Sequence, residues 1–556
     1  MRRWFSCFVL ILVLMLAAQD LVISEEFYVD DVSVNGDGSQ SNPFSTVSAA
    51  MDAAKAGDVI FIMPGSYTEK IRINKSGAAG QPITLEAADT NNRPVFAREG
   101  NVLEINARHV TVDGLILNGE FGNSDVVKIT SGSDFTTIRN SEIKNGRKDG
   151  IDLNAADDVL IENCEIHHML GGSLNSQKDA HGIVATGEKN LTIRGCDIYY
   201  VSGDCFQTDP NRGNPLWDNV LIENSRLWTG PLPADAAGWN AGEIPGENAV
   251  DTKINPDAAG TDYRAKITIR NVEAFGFVPG FISNRAAFNI KEKVDCQLIA
   301  VKVYNNEVAF RLRGPGSKGG AFVTILNSVI FDNDKAFRTE DDLERLRIYN
   351  CTFDKGANAD YFQNVSGGFE EAGFDLKNSL FLNELPDEAT HSSNIMGDDT
   401  FILDRNGRDY RLRSNSPAID AGVNIPEVTD DFSGNPRQSG ALDVGAFEFS
   451  SASGVGDPAE PGRIKSFYLH PNFPNPFNPE TNITFDMTSA GLVELSIFDP
   501  LGRIVATLVS EQLPTGQHST KWSGVDQLGN QVASGMYLFR LAIGQFTQTR
   551  KMQLLR

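Results

Sequence analysis

Residues 136–143 read TTIRNSEI, 159–166 read VLIENCEI, 191–198 read LTIRGCDI and 220–227 read VLIENSRL. Each copy places apolar residues at alternate positions, then Asn or a small residue, then an apolar residue again. The pattern continues as ITIRNVEA (267–274), QLIAVKV (297–303), VTILNSVI (323–330), LRIYNCTF (346–353) and FDLKNSLF (374–381), and VTVDGLIL (110–117) is an earlier copy. Counted from Gly114, the Asn-or-small positions are 26, 23, 32, 29, 47, 29, 27, 23 and 28 residues apart. The shorter spacings fit one turn of a parallel β-helix, and the longer ones require loop insertions. Stacking would bring the repeated Asn to one level, where each amide bonds its neighbours at a buried bend. A leucine-rich horseshoe or a propeller would carry a different signature in each unit. The reading is an all-β chain: a right-handed parallel β-helix, a single-stranded solenoid, followed by a small C-terminal β-sandwich.

The rest of the 556 residues is consistent with an exported molecule. Arg2 and Arg3 precede an apolar run from Phe8 to Ala18, too short to span a membrane and typical of a signal peptide, taken here as residues 1–24. No other stretch is long and apolar enough to cross a bilayer, so the mature chain is read as soluble, extracellular or attached to the cell surface, and monomeric. Net charge is −24, which argues against nucleic acid as a partner. Beyond the leader stand Cys164, Cys196, Cys205, Cys296 and Cys351. An odd count at irregular spacing fits buried thiols rather than disulfides or a zinc site. Residues 25–100 read as a cap and first turns, 101–385 as the main coil, 386–450 as its end and 451–463 as a linker. An amphipathic helix at 45–54 would cover the open apolar end.

Two resemblances follow from particular stretches. Residues 28–71, YVDDVSVNGDGSQSNPFSTVSAAMDAAKAGDVIFIMPGSYTEKI, resemble the opening of secreted β-helix proteins that include the family 9 polysaccharide (pectate) lyases. DYRLRSNSPAIDAG (409–422) and DFSGNPRQSGALDVGAFE (431–448) are similar to the segments that end such coils. Residues 464–556 carry PNPFNP (474–479) and GNQVASGMYLFRL (529–541), and resemble the sorting domain of type IX secretion cargo. That likeness implies the type IX machinery as a partner.

Between the repeats lies a second family of strands: DGIDLN (149–154), HGIVAT (181–186), DCFQTD (204–209), NAVDTK (248–253), AAFNIK (286–291), VAFRLR (308–313) and KAFRTE (335–340). Their third and fifth residues are mostly apolar and should point inward; the first, fourth and sixth should face solvent. The fourth column runs Asp152, Val184, Gln207, Asp251, Asn289, Arg311, Arg338, passing from acid to base along the axis. Asp149, Asp152, His181, Arg313 and Arg338 are read as substrate contacts. Trp217, Trp228, Trp239 and Tyr263 lie in insertions and suit sugar faces, Trp239 above all.

The chemistry expected of this strip is β-elimination on an acidic, uronate-containing polysaccharide. The uronate carboxylate must be neutralised so that C5–H becomes acidic, and a base must take the proton. The family resemblance implies Ca²⁺ for the first task. Asp204, Asp209, Glu247, Asn248 and Asp251 are the candidate ligands, although Glu247 and Asn248 stand where the family pattern has Asp. A Lys of lowered pKa, or an Arg, would be the base, with Lys253, Lys291 and Arg311 as candidates. A polygalacturonase-like hydrolase, a uronate epimerase using His181 and Tyr263, and a non-catalytic glycan-binding adhesin remain as alternatives.

Overall fold

The computed structural model describes residues 24–209, 216–254, 262–280, 282–314, 319–341, 343–355, 359–365, 373–437 and 442–449 of the first part of the chain. Of the last part it describes 467–469, 472, 477, 479–487, 491–498, 503–514, 516–527, 529–543 and 546–554. Of the signal peptide expected at 1–24, residues 1–23 lie outside the described residues, as does the linker expected at 451–463.

Three long sheets, of 13, 11 and 13 strands among the described residues, take one strand each from successive turns. In every sheet the spatial order of the strands follows chain order, and all pairs are parallel, as only a coil can arrange. The quoted repeat forms the first sheet. Its central apolar residue makes one continuous column: Ile138, Ile161, Ile193, Ile222, Ile269, Leu298, Ile325, Ile348, Leu376. These side chains are buried in a single core that runs the length of the solenoid. Burying an aliphatic side chain contributes about 1.5–3 kcal/mol, so an Ile or Leu recurring once per turn accounts for much of the cohesion.

The repeated Asn has a different reason from the one expected. Asn140, Asn163, Asn224, Asn271, Asn327, Asn350 and Asn378 all adopt φ between 51° and 54°. Asn tolerates this left-handed conformation better than most residues, and here it turns the chain from the first sheet into the third. The amide ladder itself is partial. Asn271 donates to Asn224 (2.6 Å) and Asn378 to Asn350 (3.3 Å), but Asn140 bonds Asp113. Asn140, Asn163 and Asn224 are exposed, so the bend is not buried there. Gly195 breaks the row: a Cβ at that position would stand 2.4 Å from the Asn163 amide oxygen.

The all-β expectation thus holds, with one α-helix among the described residues, Val47–Ala53, at the start. Thr46 caps it, accepting from Ala49 N (3.2 Å), and Val47, Ala50 and Met51 join the solenoid core. No helix among the described residues is long and apolar enough to cross a membrane. Cys164, Cys196, Cys205, Cys296 and Cys351 are free and buried, as expected. The chain divides into two compact units, Met1–Phe432 with Pro436–Phe449, and Ser450–Arg556 with Ser433–Asn435. The second has antiparallel sheets of three and four strands around its own core, including Leu495, Trp522, Phe539 and Leu541.

Candidate active site

The eleven-stranded second sheet has the register expected from the sequence. Asp152 pairs with Val184, Val184 with Gln207, Gln207 with Asp251, Asp251 with Asn289, Asn289 with Arg311 and Arg311 with Arg338. What fixes this register is the inward column one residue before it: Phe288, Phe310 and Phe337 stack at 5.6 and 5.1 Å and are wholly buried. A one-residue slip would move those rings to the outer face.

The outer columns are not, however, open to solvent. Asp152 is 1% exposed, and Gln207, Asp251 and Asn289 are also buried. Neighbouring turns lie about 4.8 Å apart, so outward side chains of successive strands shield one another, and residues 282–285 add cover over the middle turns. What remains is a cleft of about 220 Å³. Glu247, Asn248, Asp251, Lys253, Lys291, Arg311 and Arg313 line it together with Asp179, Gln207, Asn289 and Arg285.

On its acidic flank the first column forms a chain of contacts. Asp149 Oδ1 bonds both the backbone N (3.0 Å) and Nδ1 (2.9 Å) of His181, whose Nε2 lies 3.7 Å from Asp204. Burial alone would strip the proton from His181; the bond to Asp149 and the charges of Asp149, Asp204 and Asp179 outweigh it and raise its pKa to about 9. Asp204 is pushed up by burial and then by the charge of Asp251. Burial, with Asp204 and Asp179, pushes Glu247 well above the usual carboxylate range.

At the centre, Asp251 is surrounded by nitrogen donors. Lys291 Nζ lies 2.8 Å from Oδ1 and 3.0 Å from Oδ2, Asn289 Nδ2 donates to Oδ1 (2.9 Å), and Lys253 Nζ is 3.5 Å from Oδ2. Lys253 also donates to Gln207 (2.6 Å). Further along, Glu340 receives Arg311 through Nε (2.9 Å) and Nη2 (3.3 Å), and Arg338 through Nε (2.5 Å). Arg313 pairs with Asp341 at 3.2 Å. Burial opposes ionisation of Glu340, but the arginine hydrogen bonds win and hold it low.

Several sequence expectations need correction. Lys253 does not have a lowered pKa: burial pulls it down, but Asp251, Asp204, Asp209 and Asp179 reverse the effect and raise it. Trp239 is 1% exposed and packs with Leu170 and Leu232 in a small cluster of its own, because the long insertion needs an apolar centre. It presents no ring face to a sugar. Trp217 is buried, donating to the Lys253 carbonyl (2.8 Å), and Tyr263 bonds the carbonyl of Trp217. Trp228 belongs to the third sheet. Asp152 and Arg338 lie on the strip but outside the cleft.

The proposed calcium ligands do not fit a calcium ion. That ion takes six to eight oxygens at about 2.3–2.6 Å. Here Asn248 turns its NH₂ toward Asp204 (2.7 Å), its own oxygen being taken by Ala286 N (3.2 Å), and two ammonium groups flank Asp251. The described residues contain no group of three His, Cys, Asp or Glu side chains placed to hold a metal. The charge of Asp209 acts on Lys253.

Arg285 was not legible in the sequence. It is 1% exposed and lines the cleft, yet only Nη1 is bonded, to the Ile244 carbonyl (3.2 Å). Its Nε and Nη2 have no partner. Burial lowers its pKa against the charges of Glu247 and Glu307. The guanidinium rests on Gly280, where a Cβ would stand 2.8 Å from its central carbon.

Comparison with known proteins places the coil. Residues 27–319 match the family model described as "Pel9A-like, right handed beta helix region". The chain belongs to this family. Residues 474–544 match the FlgD Ig-like domain. The uncharacterized protein YwoF of Bacillus subtilis (strain 168) is 25% identical over 130 residues, 20% of this chain and 28% of YwoF, so the chain matches less than a third of that relative's length. Among solved structures, pectate lyase Pel9A is 17% identical, covering 77% of this chain and 97% of that one, with a TM-score of 0.44. A rhamnogalacturonan lyase is 15% identical, covering 68% and 91%, with a TM-score of 0.48. Set in this Pel9A-like coil, the cleft lies on the outer face of the second sheet.

Proposed function

We propose that the chain is an extracellular lyase that cleaves a uronate-containing polysaccharide by β-elimination in the cleft over residues 247–313, delivered there by its C-terminal unit through type IX secretion. One observation supports this above others. On a chain of net charge −24, the cleft is lined by five cations (Lys253, Lys291, Arg285, Arg311, Arg313) against three carboxylates (Asp179, Glu247, Asp251). A groove of net positive sign on an acidic molecule selects a polyanion.

The groups divide the work by what their surroundings allow. Lys253, Arg285 and Arg313 receive the substrate carboxylate, withdrawing charge so that the C5 proton becomes acidic. Arg311 is held by Glu340 and keeps its proton, as guanidinium does. Lys253 is biased toward the charged form. Lys291 is assigned as the base: with substrate bound it passes its proton to Asp251, which it contacts through both oxygens, and then takes the C5 proton. The C5–H electrons form the C4–C5 double bond, the C4–O bond breaks, and the leaving oxygen takes its proton from Glu247, kept protonated by burial.

The test is to follow the full chain on polygalacturonate, rhamnogalacturonan and alginate by ultraviolet absorbance of the unsaturated product. Absorbance should rise on at least one polymer and fall by about 100-fold or more with Lys291→Ala. New reducing ends without absorbance would sink the lyase in favour of the hydrolase.

A further inference from the structure

We infer that this cleft uses no divalent cation, because the ammonium groups of Lys253 and Lys291 carry the two positive charges that an ion would bring to Asp204 and Asp251. The inference deepens the lyase reading and rests on it for the role of the cations toward substrate, but the occupancy of the carboxylates is a separate matter of geometry.

Both oxygens of Asp251 already face nitrogen. Oδ1 has Lys291 at 2.8 Å and Asn289 at 2.9 Å; Oδ2 has Lys291 at 3.0 Å and Lys253 at 3.5 Å. Asp204 Oδ1 accepts from the Asn248 amide, and its Oδ2 faces His181 Nε2 at 3.7 Å. Ammonium and amide NH₂ groups donate and cannot ligate a cation through those hydrogens. A calcium ion placed between Asp204 and Asp251 would meet like charge on two sides. The Lys pair is also anchored by the protein: Lys253 by Gln207 at 2.6 Å, and Lys291 by Asp251 itself. Two tethered monovalent charges thus replace one diffusible divalent charge, which removes the entropy of ion capture and any dependence on external calcium.

The arrangement makes a second, opposite prediction. If the ammonium groups hold an ion's place, deleting them should leave carboxylates that an ion can bind. The experiment is isothermal titration of calcium chloride alone into the full chain and into its K253M/K291M variant, alongside melting temperatures with and without chelator. The wild type should give no heat of binding, and its melting temperature should differ by less than about 1 °C between calcium and chelator. The double variant should bind calcium and melt several degrees higher with it. Calcium binding by the wild type that Asp251→Asn abolishes would overturn the inference, as would a folded double variant that binds none. Should the double variant fail to fold, the wild-type titration still decides. Inactivity on every uronate polymer would remove the lyase reading and leave the titration result standing.

Discussion

The second and third sheets of the coil show outer faces built on the same register and put to different ends. On the third sheet, His167, Tyr199, Trp228, Phe275, Tyr304 and Phe331 occupy paired positions on successive turns, with ring centroids 4.6–5.5 Å apart and planes within 12° of parallel. Arg226 lies over Trp228 and Phe275, pairs with Asp197 at 3.4 Å, and Trp228 Nε1 donates to that same Asp197 (2.7 Å). The ring faces are spent on each other, so this stripe offers a glycan only edges. On the second sheet, like charges are crowded into a cleft, carboxylates are driven up, and Arg285 is buried with two donors unbonded. One face gains stability from its repetition; the other gives some up at the place where chemistry is proposed.

The largest separable effect of this division is on the aromatic stripe. Trp228→Ala removes two stacked partners and a hydrogen bond, and should lower stability by about 3 kcal/mol in denaturant melts. Its kcat/KM on the preferred polymer should stay within about twofold of the wild type. A large loss of activity with unchanged stability would make the stripe part of the binding surface and erase the contrast.

Arg285→Ala probes the other face and should do the reverse. Removing a buried guanidinium with two unbonded donors costs little stability, since burying unpaired polar groups is itself unfavourable. KM should rise about tenfold, the size of one charge-assisted contact to a carboxylate, with the melting temperature unchanged or higher. A melting temperature that falls while KM holds would make Arg285 a structural pillar of residues 282–285.

These two residues also mark what the sequence could reveal. The register of both sheets was legible, because Ile, Val and Phe recur at alternate positions and a slip would expose them. From register alone it follows that Asp251, Asn289 and Arg311 stand side by side, and that Lys253, two residues past Asp251, shares its face. Arg285 was not legible, because its place depends on how the loop folds over the turns and on Gly280 leaving room for the guanidinium. Trp239 misled for the same reason: a long loop buried its own aromatic against Leu170 and Leu232. The pairing of Asp251 with two lysines, rather than with an ion, depends on side-chain direction, which alternation does not encode.

The smallest effect tests whether a perturbed carboxyl by itself marks the site. Glu188 follows the strand Ile183–Thr186 of the second sheet but does not line the cleft. It is fully buried, accepts from Ala155 N (3.0 Å) through Oε1, leaves Oε2 unbonded, and burial raises its pKa to about 8. A carboxyl whose folded value is raised holds its proton longer folded than unfolded. Its contribution is therefore complete below the ordinary value near 4.3 and is lost as pH climbs through about 8. Glu188→Gln keeps the neutral form at every pH. The variant should match the wild type near pH 4 and become progressively more stable than it as pH climbs toward 8, with kcat/KM unchanged. Equal pH slopes for the two proteins would show that the wild-type carboxyl is already ionised in the fold. A drop in activity instead would extend the functional face beyond the cleft, and a raised carboxyl on this sheet would then mark function wherever it occurs.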